Sequence, residues 1–180
     1  YPGLSKMQTT MTIMAFEPNL LVLGHVGDCR CYRLRNGNLN LLTKDHTVAS
    51  DLSRLKLILP KYSSQHPGRH QLTRSLGSNI LLRSDVMKEK VDSGDSFLLC
   101  SDGVWSNLNH DDIKKALLEN KIDESLEHVL EKPLDCGAHD NITAMIPRRR
   151  ALLALADLLR RTPVVGILGA RQVGKSTLAR

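Results

Sequence analysis

Aromatic residues are scarce: one Trp, three Tyr and two Phe account for 3% of the 180 residues. So few flat side chains leave no stacking platform for single-stranded nucleic acid. Long apolar runs are missing as well. None approaches the ~20 residues that span a bilayer, so no membrane segment is expected. The four cysteines, Cys29, Cys31, Cys100 and Cys136, form no CxxC pair. Cys29 and Cys31 would share one strand face, poor geometry for a mutual disulfide. Free thiols belong in a reducing compartment, and a cytoplasmic location is expected. His66 and His70 have ligand-like spacing, but no second pair lies nearby, so no zinc site is expected. The chain opens at Tyr1, without a signal peptide, which reads as a start within a longer sequence.

A basic excess is absent from most of the chain. Residues 1–147 hold 17 Lys/Arg against 18 Asp/Glu, whereas residues 148–180 hold eight Lys/Arg and one Asp. The net +6 of the whole chain therefore comes from its tail, and no nucleic-acid partner is expected for the body. This break predicts a boundary between residues 1–146 and residues 147–180. With 41% hydrophobic residues, the body can bury a core of ordinary size.

The stretches "TTMTIMAF" and "NLLVLGHVGD" read as strands joined by a turn at Glu17-Pro18-Asn19. "CRCYRLRNGNLNLLT" alternates on both sides of Asn36-Gly37, a strong hairpin signal. Four antiparallel strands are thus predicted over residues 9–43. Residues 48–72 predict a short helix and a loop, and "LLRSDVMKEKV" predicts a strand. A turn over Asp92–Asp95 precedes the apolar strand "FLLC". Asn109–Asp112 caps a helix with Ile113, Ala116 and Leu117 on one face. "DESLEHVLEKPL" predicts a second helix that stops near Pro133, and "DNITAMI" a closing strand. There are no internal repeats. Antiparallel strands followed by helices predict an α+β layered domain.

Three aspartates share one context. Asp28 follows "LLVLGHVG", Asp102 follows "FLLCS", and Asp140 precedes "NITAMI". Each stands at the end of a β run beside a small or turn-forming residue. Two readings fit: three unrelated turn aspartates, or carboxylates gathered at one sheet edge around a hard divalent cation.

The blocks "HVGDCRCYRL", "LTKDH", "HQLTRSLG", "DSFLLCSDGVW" and "DNITAMI", in that order over residues 7–146, resemble the metal-dependent protein phosphatases of type 2C, the PPM family, in their bacterial form. The resemblance implies a sandwich of two antiparallel sheets flanked by helices. It implies hydrolysis of phosphoserine and phosphothreonine with Mg²⁺ or Mn²⁺ in a binuclear centre, phosphoprotein substrates and a cognate Ser/Thr kinase. Asp102 and Asp140 match ligands of the first catalytic metal. Asp28 matches a ligand of an accessory metal that also uses the position of Asp102. Residues 48–71 match the variable flap that shapes substrate access. His46, in the "DH" pair with no carboxylate partner evident, is expected to be structural.

Two blocks of the family do not occur in the chain. One carries an acidic pair and a phosphate-binding arginine; the other carries an aspartate followed by glycines, whose carboxylate bridges both metals. The opening "YPGLSKMQTT" is similar to the next block, with Lys6 and Gln8 where glycines are usual, and Cys29 replaces the usual serine after Asp28. The expectation is a phosphatase domain lacking its N-terminal third and inactive by itself. The alternatives are a non-catalytic regulatory or interaction remnant and the N-terminal part of a P-loop ATPase.

The tail adds a separate motif. "VVGILGARQVGKSTLAR" places Gly169, Gly174, Lys175, Ser176 and Thr177 in the phosphate-cradling P-loop pattern after a β-like run. With the leucine-rich "ALLALADLLRR" before it, the tail resembles the start of a bacterial AAA-type ATPase. A helix and a P-loop stub are expected there. ATP is a ligand for this motif alone, and no ATPase activity is expected of it.

Overall fold

Two largely apolar strands form the first hairpin. Strand β1, Met11–Glu17, pairs antiparallel with β2, Leu20–Val26, with Glu17 opposite Leu20. The structure, a computed structural model, describes residues 7–147 except 18, 79–81, 120 and 138–139. β3, Arg30–Arg35, and β4, Asn38–Leu41, form the second hairpin. Its two loop residues, Asn36 and Gly37, have φ of 49° and 74°, the left-handed pair that matches the twist of a two-residue hairpin.

Two further strands extend these hairpins into separate sheets. β5, Asp85–Lys90, pairs with β2 and completes a three-stranded sheet of order β1-β2-β5. β6, Ser96–Cys100, pairs with β3, and the short β7, Ala144–Met145, pairs with β6, giving the order β4-β3-β6-β7. All pairings are antiparallel. Met14, Leu21 and Leu23 from the first sheet meet Cys31, Phe97 and Leu99 from the second. On the far side of the second sheet, Leu34, Leu98 and Cys100 meet Ile113, Ala116, Leu117 and Val129. The last four belong to helices α4, His110–Leu118, and α5, Ile122–Asp135. This is the expected α+β sandwich with flanking helices. Because β6 lies between two cores, its side chains alternate between two apolar layers. That accounts for four consecutive buried residues in β6, where burial alternates along most of β1 and β2.

Helix α4 begins with the expected capping box, in which Asn109 and Asp112 satisfy each other's backbone N–H groups. Three elements depart from the sequence reading. Helix α5 runs through Pro133 to Asp135. The proline sits in the last turn, where its missing N–H costs one helical bond and its ring is buried. The closing strand is only two residues long, because the Ser101 side chain takes over the pairing ahead of it. Residues 48–72 hold α1, Val48–Arg54, a single turn α2, Pro60–Ser63, and a 3-10 turn, Pro67–His70, where one helix and a loop are read from sequence. The tail motif, Gly169 to Thr177, lies outside the described residues.

Leu98→Ala and Leu99→Ala should each cost about 3 kcal/mol, since both faces of β6 are buried and each truncation leaves a cavity. Val22→Ala, on the half-buried outer face of β2, should cost only about 1 kcal/mol. Urea denaturation midpoints of the three variants check this ordering.

Candidate metal centre

Beyond β2 the chain turns at Gly27, whose φ is +111°. A Cβ there would overlap the Thr10 side chain, so only glycine allows the turn. His46 holds the turn from the other side. The Gly27 N–H donates to His46 Nδ1 at 3.1 Å, and the His46 N–H donates to the Gly27 carbonyl at 2.8 Å. Since Nδ1 accepts, the neutral ring carries its proton on Nε2. That nitrogen lies 3.3 Å from Asp85 Oδ2, and Arg74 donates to the other Asp85 oxygen at 3.0 Å. His46 does therefore have a carboxylate partner, supplied by β5, contrary to the sequence reading. Burial, more than any neighbour, lowers the pKa of His46. His25 packs against it, the rings tilted by 37° and 4.9 Å apart between centroids. Its Nε2 faces the Lys44 carbonyl at 3.0 Å, and its Nδ1 the Thr12 hydroxyl at 2.9 Å. Burial and the neighbouring His46 lower its pKa to about 4. These two rings form the floor beneath the Gly27–Asp28 turn.

Asp102 is presented by the end of β6. Ser101 caps the single-turn helix α3, Asp102–Trp105, and fastens the segment carrying Asp140. The Ser101 N–H donates to the Thr143 carbonyl at 3.0 Å. The Ser101 hydroxyl donates to the Asn141 carbonyl at 3.0 Å and accepts the Thr143 N–H at 3.1 Å. The two segments approach so closely at Gly103 that a Cβ would stand 2.5 Å from the Asn141 carbonyl oxygen. Only glycine fits after the aspartate at this approach. The Gly103 N–H also donates to Asp102 Oδ1 at 3.0 Å, and the Asn141 N–H to Asp140 Oδ1 at 2.8 Å. Asp102 and Asp140 both line a cleft of about 610 Å³.

Asp28 and Asp102 converge with a residue that the sequence reading set aside. Ligand-type atoms of Asp28, His70 and Asp102 all lie within 4.8 Å of one another. Asp140 is beside Asp102 but is not a member of this group of three. No local pattern identifies His70. It arrives because the flap segment returns through the Thr47–Leu72 bridge, with the Val48 N–H donating to Gln71 at 2.9 Å and the Thr73 N–H to His46 at 2.8 Å. Its spacing from His66 is unrelated, since His66 caps its own turn through Gly68 N–H at 3.0 Å. Trp105 joins the parts: its indole N–H donates to the Asp28 carbonyl at 2.9 Å, its ring stacks near His70 at 6.4 Å, and the Arg30 guanidinium lies 3.6 Å from the ring centre. Arg30 is itself held by Asp45 through a two-pronged pair at 3.1 and 2.7 Å.

Negative charge is concentrated here and only partly offset by Arg30 and His70. Burial, then the charges of Asp102 and Asp45, raises the Asp28 carboxyl pKa to about 7. Burial, then Asp140, raises that of Asp102. Carboxylates that repel one another in a half-buried cleft, with an imidazole alongside, form a donor set suited to a small divalent cation.

The protein phosphatase 2C family model matches residues 3–145. The chain belongs to that family. It is 36% identical over 145 residues to the serine/threonine protein phosphatase PstP of Mycobacterium tuberculosis, an alignment covering 81% of this chain and 28% of that protein. The crystal structure of the M. tuberculosis phosphatase PstP/Ppp superposes with a TM-score of 0.77 at 34% identity, covering 81% of this chain and 61% of that one. A structure of the PstP catalytic domain in complex with two manganese ions gives a TM-score of 0.71 at 33% identity, covering 81% and 60%. The chain thus spans about three fifths of the solved relatives' length.

Two outcomes follow from the electrostatics. His25 binds a proton less readily folded than unfolded, so its contribution is full above about pH 6.5 and is lost as pH falls toward 4. Some 3 kcal/mol should disappear over that window in pH-dependent urea denaturation, and much less in His25→Gln. Asp28 has the opposite sign. Its raised pKa means that ionisation destabilises the fold as pH rises from about 4 to about 7. Asp28→Asn in a chelating buffer should therefore gain on the order of 2 kcal/mol at pH 8, with the gain vanishing below pH 4.

Proposed function

We propose that this chain supplies part of the metal centre of a phosphatase acting on phosphoserine and phosphothreonine in proteins. The observation that carries the reading is the convergence of the Asp28 and Asp102 carboxyls within one 4.8 Å group, with Asp140 on the same cleft, in a chain of the 2C family. Asp102 and Asp140 would hold a catalytic Mg²⁺ or Mn²⁺, and Asp28 with Asp102 an accessory ion. Bound there, such ions acidify a water and neutralise phosphoryl charge. The chain's own residues orient the ligands. Gly103 N–H fixes one Asp102 oxygen, Ser101 sets the spacing between the two aspartate-bearing segments, and Gly27 and His46 fix Asp28. Beside the centre, a second cleft of about 890 Å³ between the flap and the body is lined by Lys44 and Arg69 and by Arg30, Arg54 and Arg74, the last three paired with Asp45, Asp51 and Asp85, a mixed surface with a net positive charge open to a phosphorylated segment.

The finer parts of the reading rest on sequence. A Ser/Thr kinase is the partner expected to supply the phosphoprotein. The buried thiols of Cys29, Cys31 and Cys100, none in a disulfide, support a reducing, cytoplasmic setting, and no helix among the described residues is long and apolar enough to cross a membrane. The division near residue 146 has the charge break behind it, and the P-loop resemblance of the tail rests on its motif alone.

The two family blocks absent from residues 1–180 supply the bridging carboxylate and the phosphate-binding arginine. The 180-residue chain is therefore expected to hydrolyse p-nitrophenyl phosphate negligibly with Mn²⁺. Fusion of those two blocks ahead of Tyr1 should restore turnover that Asp102→Ala abolishes. Robust Mn²⁺-dependent turnover by the 180-residue chain itself, lost in Asp102→Ala, would refute the need for the missing carboxylate.

A further inference from the structure

We propose that His70 is a third protein ligand of the cation held by Asp28 and Asp102, and that its imidazole makes this site select manganese over magnesium. The inference rests on the metal reading above and extends it to a residue to which that reading gives no role. Two independent features support it. The ligand-type atoms of His70 and both aspartates lie within 4.8 Å of one another, a separation one ion can bridge. Asp28, at 5% exposure, places a carboxylate in the interior, where burial and the charges of Asp102 and Asp45 outweigh that of Arg30. A buried carboxylate in that position calls for a cation.

The chemistry of the donor set then fixes which cation. Two carboxylates alone are hard ligands that serve Mg²⁺ and Mn²⁺ alike. An imidazole nitrogen favours Mn²⁺, which accepts nitrogen donors, over Mg²⁺, which keeps its oxygen shell. The ring is also placed in advance. It ends the 3-10 turn Pro67–His70 and stacks near Trp105, whose indole N–H holds the Asp28 carbonyl. One interaction opposes binding. Arg69 Nε donates to His70 Nε2 at 2.8 Å, and a neutral imidazole has a single lone pair. A cation would take that lone pair in exchange for the hydrogen bond, so the site is selective rather than tight.

The test uses the metals alone. Calorimetric titration of Mn²⁺ and Mg²⁺ into the 180-residue chain, at pH 7.5, should show a Mn²⁺ site that weakens at least about tenfold in His70→Ala, with Mg²⁺ affinity changed less than about threefold. His70 is exposed, so its truncation leaves the core intact. Pulsed EPR of the Mn²⁺-loaded chain should show coupling to an imidazole ¹⁴N that is absent in His70→Ala. Mn²⁺ binding that depends on Asp102 but shows no nitrogen coupling and is unchanged in His70→Ala would overturn this inference while leaving the metal reading in place. A chain that binds no Mn²⁺ at all would overturn both.

Discussion

Burial of β6 on both faces is the constraint on which the rest of the molecule depends. Phe97 and Leu99 close the layer between the sheets, and Leu98 and Cys100 close the layer under α4 and α5. A strand fixed from both sides has little freedom at its end, so Ser101 and Asp102 leave it in a set direction. β3 on one edge and β7 on the other are then positioned by hydrogen bonds to the same strand. Hydrophobic packing thus holds a charged group on a rigid element rather than on a flexible surface loop.

The site works against the forces that build the core. Around Asp102 the fold gathers carboxylates whose desolvation, and then mutual repulsion, raise the pKa of both Asp28 and Asp102. Stability given up at such a place has to come from elsewhere. Here it comes from neutral hydrogen bonds beneath the turn, made by Thr12, His25 and His46, and from the Arg30–Asp45 pair beside it. Neutral histidines support the acidic turn without cancelling its charge, which a lysine or arginine at the same positions would do.

Much of this was legible in the sequence, and the parts that were not share one physical cause. Period-two alternation and Asn36-Gly37 identified the hairpins, since strand faces and left-handed turns are decided locally. The aspartates were visible because each stands where a β run meets a turn. By contrast, His70 joins Asp28 and Asp102 only through the path of the flap, and Asp85 reaches His46 only because β5 pairs with β2. Neither contact leaves a mark on neighbouring residues. The closing strand was read too long for a related reason: the apolar pattern of "NITAMI" cannot show that a serine hydroxyl replaces a ladder hydrogen bond ahead of Ala144. Helix α5 passed its proline because only burial of the ring decides that case.

Trp105 is the only tryptophan in the chain. Its indole touches the Asp28 carbonyl, the Arg30 guanidinium and the His70 ring at once. Indole emission depends on the charge and polarity around the ring. The molecule therefore carries one indole fluorophore, seated against the site and with no second tryptophan to dilute its signal. Any event that rearranges the flap or the acidic turn changes the colour and yield of light from a single reporter that the fold itself has placed there.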